Sequence, residues 1–152
     1  GRYLWIPFLA SGVGALAGAW ASSRLIAGGW SVDRARKSML LLAAGLASAG
    51  ATACFAPGFA SALALVSLAL FSHQMWSSNV HTAITEITPP RHVAVLYGVT
   101  GAAGTLSGIL VQSAVGPLVD AAGYTPAFLL AGSLYVVAAG LLLAGGKIAP
   151  LR

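Results

Sequence analysis

Between Phe71 and His92 the sequence reads FSHQMWSSNVHTAITEITPPRH, a stretch dense in side chains able to do chemistry. On a helical wheel at about 100° per residue, His73, Gln74, Ser77, Ser78, His81 and Thr85 fall within an arc of roughly 140°. Trp76, Val80, Ala83 and Ile87 cluster away from it. Imidazole, amide and hydroxyl groups gathered on one face can bind the hydroxyls and carboxylate of a polar solute. Ser77 and His81 stand one helical turn apart, where an imidazole could activate a serine nucleophile. No Gly-x-Ser-x-Gly turn accompanies them. His73, His81 and Glu86 make a poor metal set. Eight residues separate the histidines by about 12 Å along a helix, whereas zinc ligands on one helix commonly sit four apart.

That polar face must be carried by an unusual chain. Of its 152 residues 58% are hydrophobic and 7% are charged, against about 25% charged in a typical soluble domain. The charge-poor sequence divides into apolar runs of about 20 residues, the length that crosses a bilayer. The expected fold is all-α and polytopic, with five transmembrane helices over about 3–27, 38–55, 60–85, 93–118 and 125–144. A closed β-barrel is excluded, because no stretch shows the required alternation. Cys54 is the only cysteine, so neither an internal disulfide nor a thiolate metal site is available. The chain begins at Gly1 and has no signal-peptide pattern at its start. A piece of a longer protein is therefore expected.

The first span carries Gly14 and Gly18 in a small-xxx-small spacing, which lets a neighbouring helix approach closely. The short segment Gly29-Trp30-Ser31-Val32-Asp33-Arg34-Ala35-Arg36-Lys37 reads as a charged loop joining antiparallel spans. Pro57-Gly58 makes the next turn, and Pro89-Pro90 ends the third span because proline interrupts the helical hydrogen-bond ladder. On the fourth span Gly98, Gly101, Gly104, Gly108 and Gly116 share a side with Thr105 and Gln112. This predicts a thin packing face bearing two polar groups. Glu86 and Arg91 flank the proline turn and suggest a structural or gating ion pair. Asp33 and Arg34 suggest a hinge or latch.

The net charge is +5, but the cations lie in short clusters between spans, which speaks for membrane orientation rather than nucleic acid. With the 29–37 loop cytoplasmic, five antiparallel spans also place loop 86–92 and the Lys147–Arg152 tail inside. Every Lys and Arg except Arg2 then lies on that side, as the positive-inside rule requires.

Gly29-x-x-x-Asp33-Arg34-x-Arg36-Lys37 resembles the loop signature of the major facilitator superfamily, without the usual glycine before the final basic pair. His73-Gln74-Met75-Trp76-Ser77-Ser78-Asn79, with Glu86, Pro89 and Arg91, is similar to the tenth helix of that superfamily's anion:cation symporter branch, and most like its hexuronate and related sugar-acid transporters. Gly104-Thr105-Leu106-Ser107-Gly108 is similar to a glycine-rich stretch of the eleventh helix. The resemblance implies helices eight to twelve of a twelve-helix carrier, most of its C-terminal half. It also implies a partner N-terminal half, an organic anion at the midplane between the halves and alternating access.

It further implies a bacterial cytoplasmic membrane, and a proton as coupling ion in place of any cofactor, with the coupling carboxylates in the other half. The expected substrate contacts are His73, Gln74, Trp76, Ser77, Ser78, Asn79, His81, Thr105 and Gln112. Gly29, Asp33, Arg34, Arg36, Lys37, Glu86 and Arg91 form the gating and loop set. Two other readings stand beside this one. The first is a membrane-embedded hydrolase using Ser77 and His81. The second is a non-transporting assembly subunit that depends on Gly101 and Gly104.

Overall fold

The computed structural model describes residues 2–148. It contains α1 (Trp5–Ala27), α2 (Val32–Gly50) continued by a short 3₁₀ helix (Ala51–Phe55), α3 (Phe59–Ile87), α4 (Pro90–Ala122) and α5 (Tyr124–Ala144). All five α-helices, α2 together with its 3₁₀ extension, are long and apolar enough to cross a membrane.

Local chemistry places the ends. After α1, Gly29 adopts φ +92°, a conformation that glycine enters at little cost. Ser31 then caps α2, its Oγ accepting the Arg34 N–H at 3.3 Å. Asp33 falls in the first turn of α2, where a negative charge complements the helix dipole. This corrects the expectation of a loop running to Lys37. The cap starts the helix at Val32, so Asp33, Arg34, Arg36 and Lys37 lie on a helix with fixed faces. Thr88 is extended before Pro89, as a residue preceding proline prefers. Pro90 opens α4 at its first position, where a missing N–H costs nothing.

The interior is built of small residues and the exterior of large ones. Buried apolar positions are Ala35, Ala43, Ala44, Ala47, Ala51, Ala53 and Ala83, joined by Leu40 and Met75. Phe8, Leu16, Trp20, Leu110 and Leu141 are outward and exposed. Water would penalise so wide an apolar surface. Lipid does not, and small residues let helix backbones meet without a hydrophobic driving force. At Gly14 a Cβ would overlap the Phe71 backbone, and at Gly18 it would press on Met75. Gly50 lies as close to Ala69, and Gly132 to Ala51.

α3 is the hub, packed along α1 and α2, while α5 packs on α2 and on the 3₁₀ turn. Among the described residues α4 touches only α3 and α5 and has no buried position. Its glycines at 98, 101, 104, 108 and 116 have nothing within reach of a Cβ. The expected packing face therefore has no partner among the described residues. One end of the bundle is tied by Lys37 Nζ donating to the Gly146 carbonyl at 3.2 Å and the Ile148 N–H donating to Asp33 at 2.9 Å. Arg152 lies outside the described residues.

Candidate functional site

α3 presents two polar surfaces. One is buried against α1 and α2 and centres on Arg36, which is only 4% exposed. Its guanidinium grips Glu86 through two bonds, Nη2 to Oε1 at 2.7 Å and Nε to Oε2 at 3.2 Å. Its Nη1 donates to Ser22 Oγ of α1 and to Asn79 Oδ1 at 3.3 Å. Asn79 in turn donates to the Met75 carbonyl at 3.0 Å. A planar fork with several donors suits such a site, and together these bonds satisfy a charge that would be costly to bury alone.

This cluster revises several expectations. Glu86 pairs with Arg36 of α2, not with Arg91 across the proline turn. Arg91 instead donates to its neighbour His92 at 3.0 Å. Asp33 pairs with Lys37 of its own helix at 3.1 Å. The Arg34 guanidinium lies 4.2 Å over the Trp30 ring. Asn79 is fully buried and does not share the open face with His73 and Ser77. Ser22 carried no sequence signal, since a serine in an apolar span ordinarily bonds its own helix, as Ser22 also does to the Ala19 carbonyl.

The other surface is open. His73, His81 and Thr85 are exposed, while Gln74, Trp76, Ser77 and Ser78 are half-buried. Ser78 returns its hydroxyl to the Met75 carbonyl and Thr85 to Thr82. Ser77 Oγ lies 3.3 Å from His81 Nδ1. The His81 ring stacks on Tyr97 of α4 at 5.3 Å, and the Tyr97 hydroxyl donates to the His81 carbonyl. Hydrolysis would need an oxyanion donor beside Ser77. Mid-helix N–H groups there are committed to the helical ladder.

Toward α5, the His73 and Trp76 side chains meet Tyr135. The Tyr135 hydroxyl sits 2.5 Å from His73 Nδ1, and its ring meets Trp76 edge-on at 5.8 Å. These three residues, with Ala131, Leu134 and Ala138, line a cleft of about 360 Å³. That volume is in the range of small-molecule sites, which pair apolar walls with a few polar groups. Tyr135 is a further residue that sequence reasoning missed, although a hydroxylated aromatic in the middle of the largely apolar α5 was a usable signal. Thr105 and Gln112 are exposed on α4, apart from this cleft. Thr105 bonds the Gly101 carbonyl of its own helix.

No family model matches the sequence. The chain is 28% identical over 134 residues to a D-galactonate transporter of Escherichia coli O6:H1 strain CFT073. The match covers 88% of this chain and 31% of that protein, so the chain spans about a third of the length of the curated relative it matches.

Proposed function

We propose that this chain forms part of a secondary transporter that moves a sugar acid across a membrane. Its five helices correspond to helices eight to twelve of a major facilitator fold, and other spans complete the path. The substrate is a hexuronate or an aldonate, taken up by proton symport with alternating access in a bacterial cytoplasmic membrane. His73, Gln74, Trp76, Ser77, Ser78 and His81 supply its wall of the binding site, with Thr105 and Gln112 facing it from α4. The segments around Arg34, Arg91 and Lys147 lie in the cytoplasm.

The observation that carries this reading is the open polar face of α3. It holds exposed imidazole and hydroxyl groups beside a small cleft, on a helix long and apolar enough to span a bilayer. A polar intramembrane face is costly unless it borders water or ligand. The likeness to a galactonate transporter over most of the chain supports the substrate class.

Proteoliposomes holding the intact carrier should accumulate labelled galactonate or glucuronate when a proton gradient is imposed. Absence of any sugar-acid uptake would overturn the proposal. The 152-residue chain alone should show none, because its polar face would meet lipid. Orientation is read from single cysteines at Arg34→Cys and Arg91→Cys in a Cys54→Ala background. Both should react with an impermeant thiol reagent from the same side.

A further inference from the structure

Tyr135 links α5 to the polar face of α3 by way of its ring and hydroxyl, touching two candidate contacts at once. Its ring meets His73 at 6.4 Å and Trp76 at 5.8 Å, both edge-on, and its hydroxyl lies 2.5 Å from His73 Nδ1. The backbones of α3 and α5 do not pack directly on one another, so across this cleft the two helices meet through side chains.

The proton in that bridge has two possible owners. If His73 Nδ1–H donated, the phenol O–H would need a second acceptor. Its neighbours in the cleft are Ala131, Leu134, Ala138 and Trp76, none with a side-chain acceptor. Among the described residues the Tyr135 hydroxyl has no partner other than His73. If the phenol donates, its hydrogen is satisfied and His73 must carry its own on Nε2. Each arrangement leaves one donor over, and because His73 is exposed while Tyr135 is half-buried, a free Nε2–H meets water or ligand more readily than a free phenol O–H does.

We propose that Tyr135 is a positioning residue for the binding face. Its hydroxyl donates to His73 Nδ1, fixes the imidazole as the Nε2–H tautomer, and thereby presents a neutral N–H donor to a carboxylate or hydroxyl oxygen of the substrate. This deepens the transport reading and rests on it for the identity of the ligand. It assigns α5 a part in substrate recognition.

The test uses the intact carrier with ¹⁵N-labelled histidine, reconstituted in lipid nanodiscs. The His73 signals should show an unprotonated Nδ1 and a protonated Nε2. Tyr135→Phe keeps the ring and removes the hydroxyl, so it should move those signals toward a mixture of tautomers. Galactonate uptake by this variant should show KM raised about 3- to 10-fold with kcat nearly kept, the size expected for one hydrogen bond. In a His73→Asn background, Tyr135→Phe should change KM no further, because the two act through one bond.

A proton on Nδ1 in the unaltered protein overturns the proposal, and so do additive effects of the two substitutions. Should Tyr135→Phe fail to fold, the tautomer of the unaltered protein decides by itself. Should the carrier take up no sugar acid, the transport reading falls, while the spectrum still rules for or against the Tyr135 bridge.

Discussion

The packed and open sides of α3 are made of similar residue types. Ser72, Asn79 and Glu86 lie on the first, and His73, Ser77 and His81 on the second. On the packed side, Arg36 arrives from α2 and binds both Asn79 and Glu86, and small residues on α1 allow the close approach. On the open side, Ser78 and Thr85 fall back on carbonyls of their own helix, His81 meets Ser77 and stacks on Tyr97 of α4, and His73 meets Tyr135 of α5. Polarity along a membrane helix therefore does not by itself mark a ligand path. What separates the two sides is burial: Asn79 and Arg36 are enclosed with their bonds complete, whereas His73 and His81 stay exposed.

The largest effect should come from the packed side. Arg36→Ala leaves Glu86 and Asn79 without their shared donor and should cost about 3 kcal/mol of stability. That is the lower end for a buried pair, because Glu86 keeps 22% of its side chain exposed. Thermal unfolding in detergent measures it, and an unchanged midpoint would dissolve the contrast between the two sides. The double change Arg36→Met with Glu86→Leu should be milder than Arg36→Ala, since no charge is left stranded.

Next in size is the helix contact. Gly14→Ala sets a methyl group against the Phe71 backbone and should cost about 1–3 kcal/mol. Gly104→Ala meets open space and should stay within about 0.5 kcal/mol in the 152-residue chain. A larger loss at Gly104 in the intact protein would show that another helix covers α4 there.

Function should follow the opposite pattern. His73→Ala and Ser77→Ala should each raise the transport KM by about tenfold, near 1.4 kcal/mol, with thermal stability little changed. Asn79→Ala should lower stability first, because its side chain is occupied by Arg36. If the three variants behaved alike in both assays, the distinction between a packed and a ligand-facing side would not hold. The smallest effect is expected from Thr105→Val, whose lost hydroxyl bonds only the Gly101 carbonyl. Stability should stay within about 0.5 kcal/mol while the transport KM rises, and unchanged transport would remove Thr105 from the proposed site.

Much of the fold was legible from local chemistry. Apolar runs of bilayer length set the number of helices. Pro57-Gly58, Pro89-Pro90 and the glycine before Trp30 placed three of the turns within a few residues. The small-xxx-small pair at Gly14 and Gly18 announced the α1–α3 contact. The start of α2 was misplaced because a dense cluster of charge was read as loop, although Ser31 and Asp33 form a helix start that such charges can follow. The glycine face of α4 was legible as a face, but its partner was not.

The sequence by itself determined the five apolar runs, most of the turns between them and the polar arc of α3, because hydrophobic length, proline, glycine and helical period act over a few residues. Only the tertiary structure decided that Arg36 and Asn79 are buried, that Glu86 binds a residue 50 positions away, and that Tyr135 reaches His73. Those pairings depend on how far each helix is rotated and how closely two backbones approach, and neither is encoded in the spacing along one chain segment.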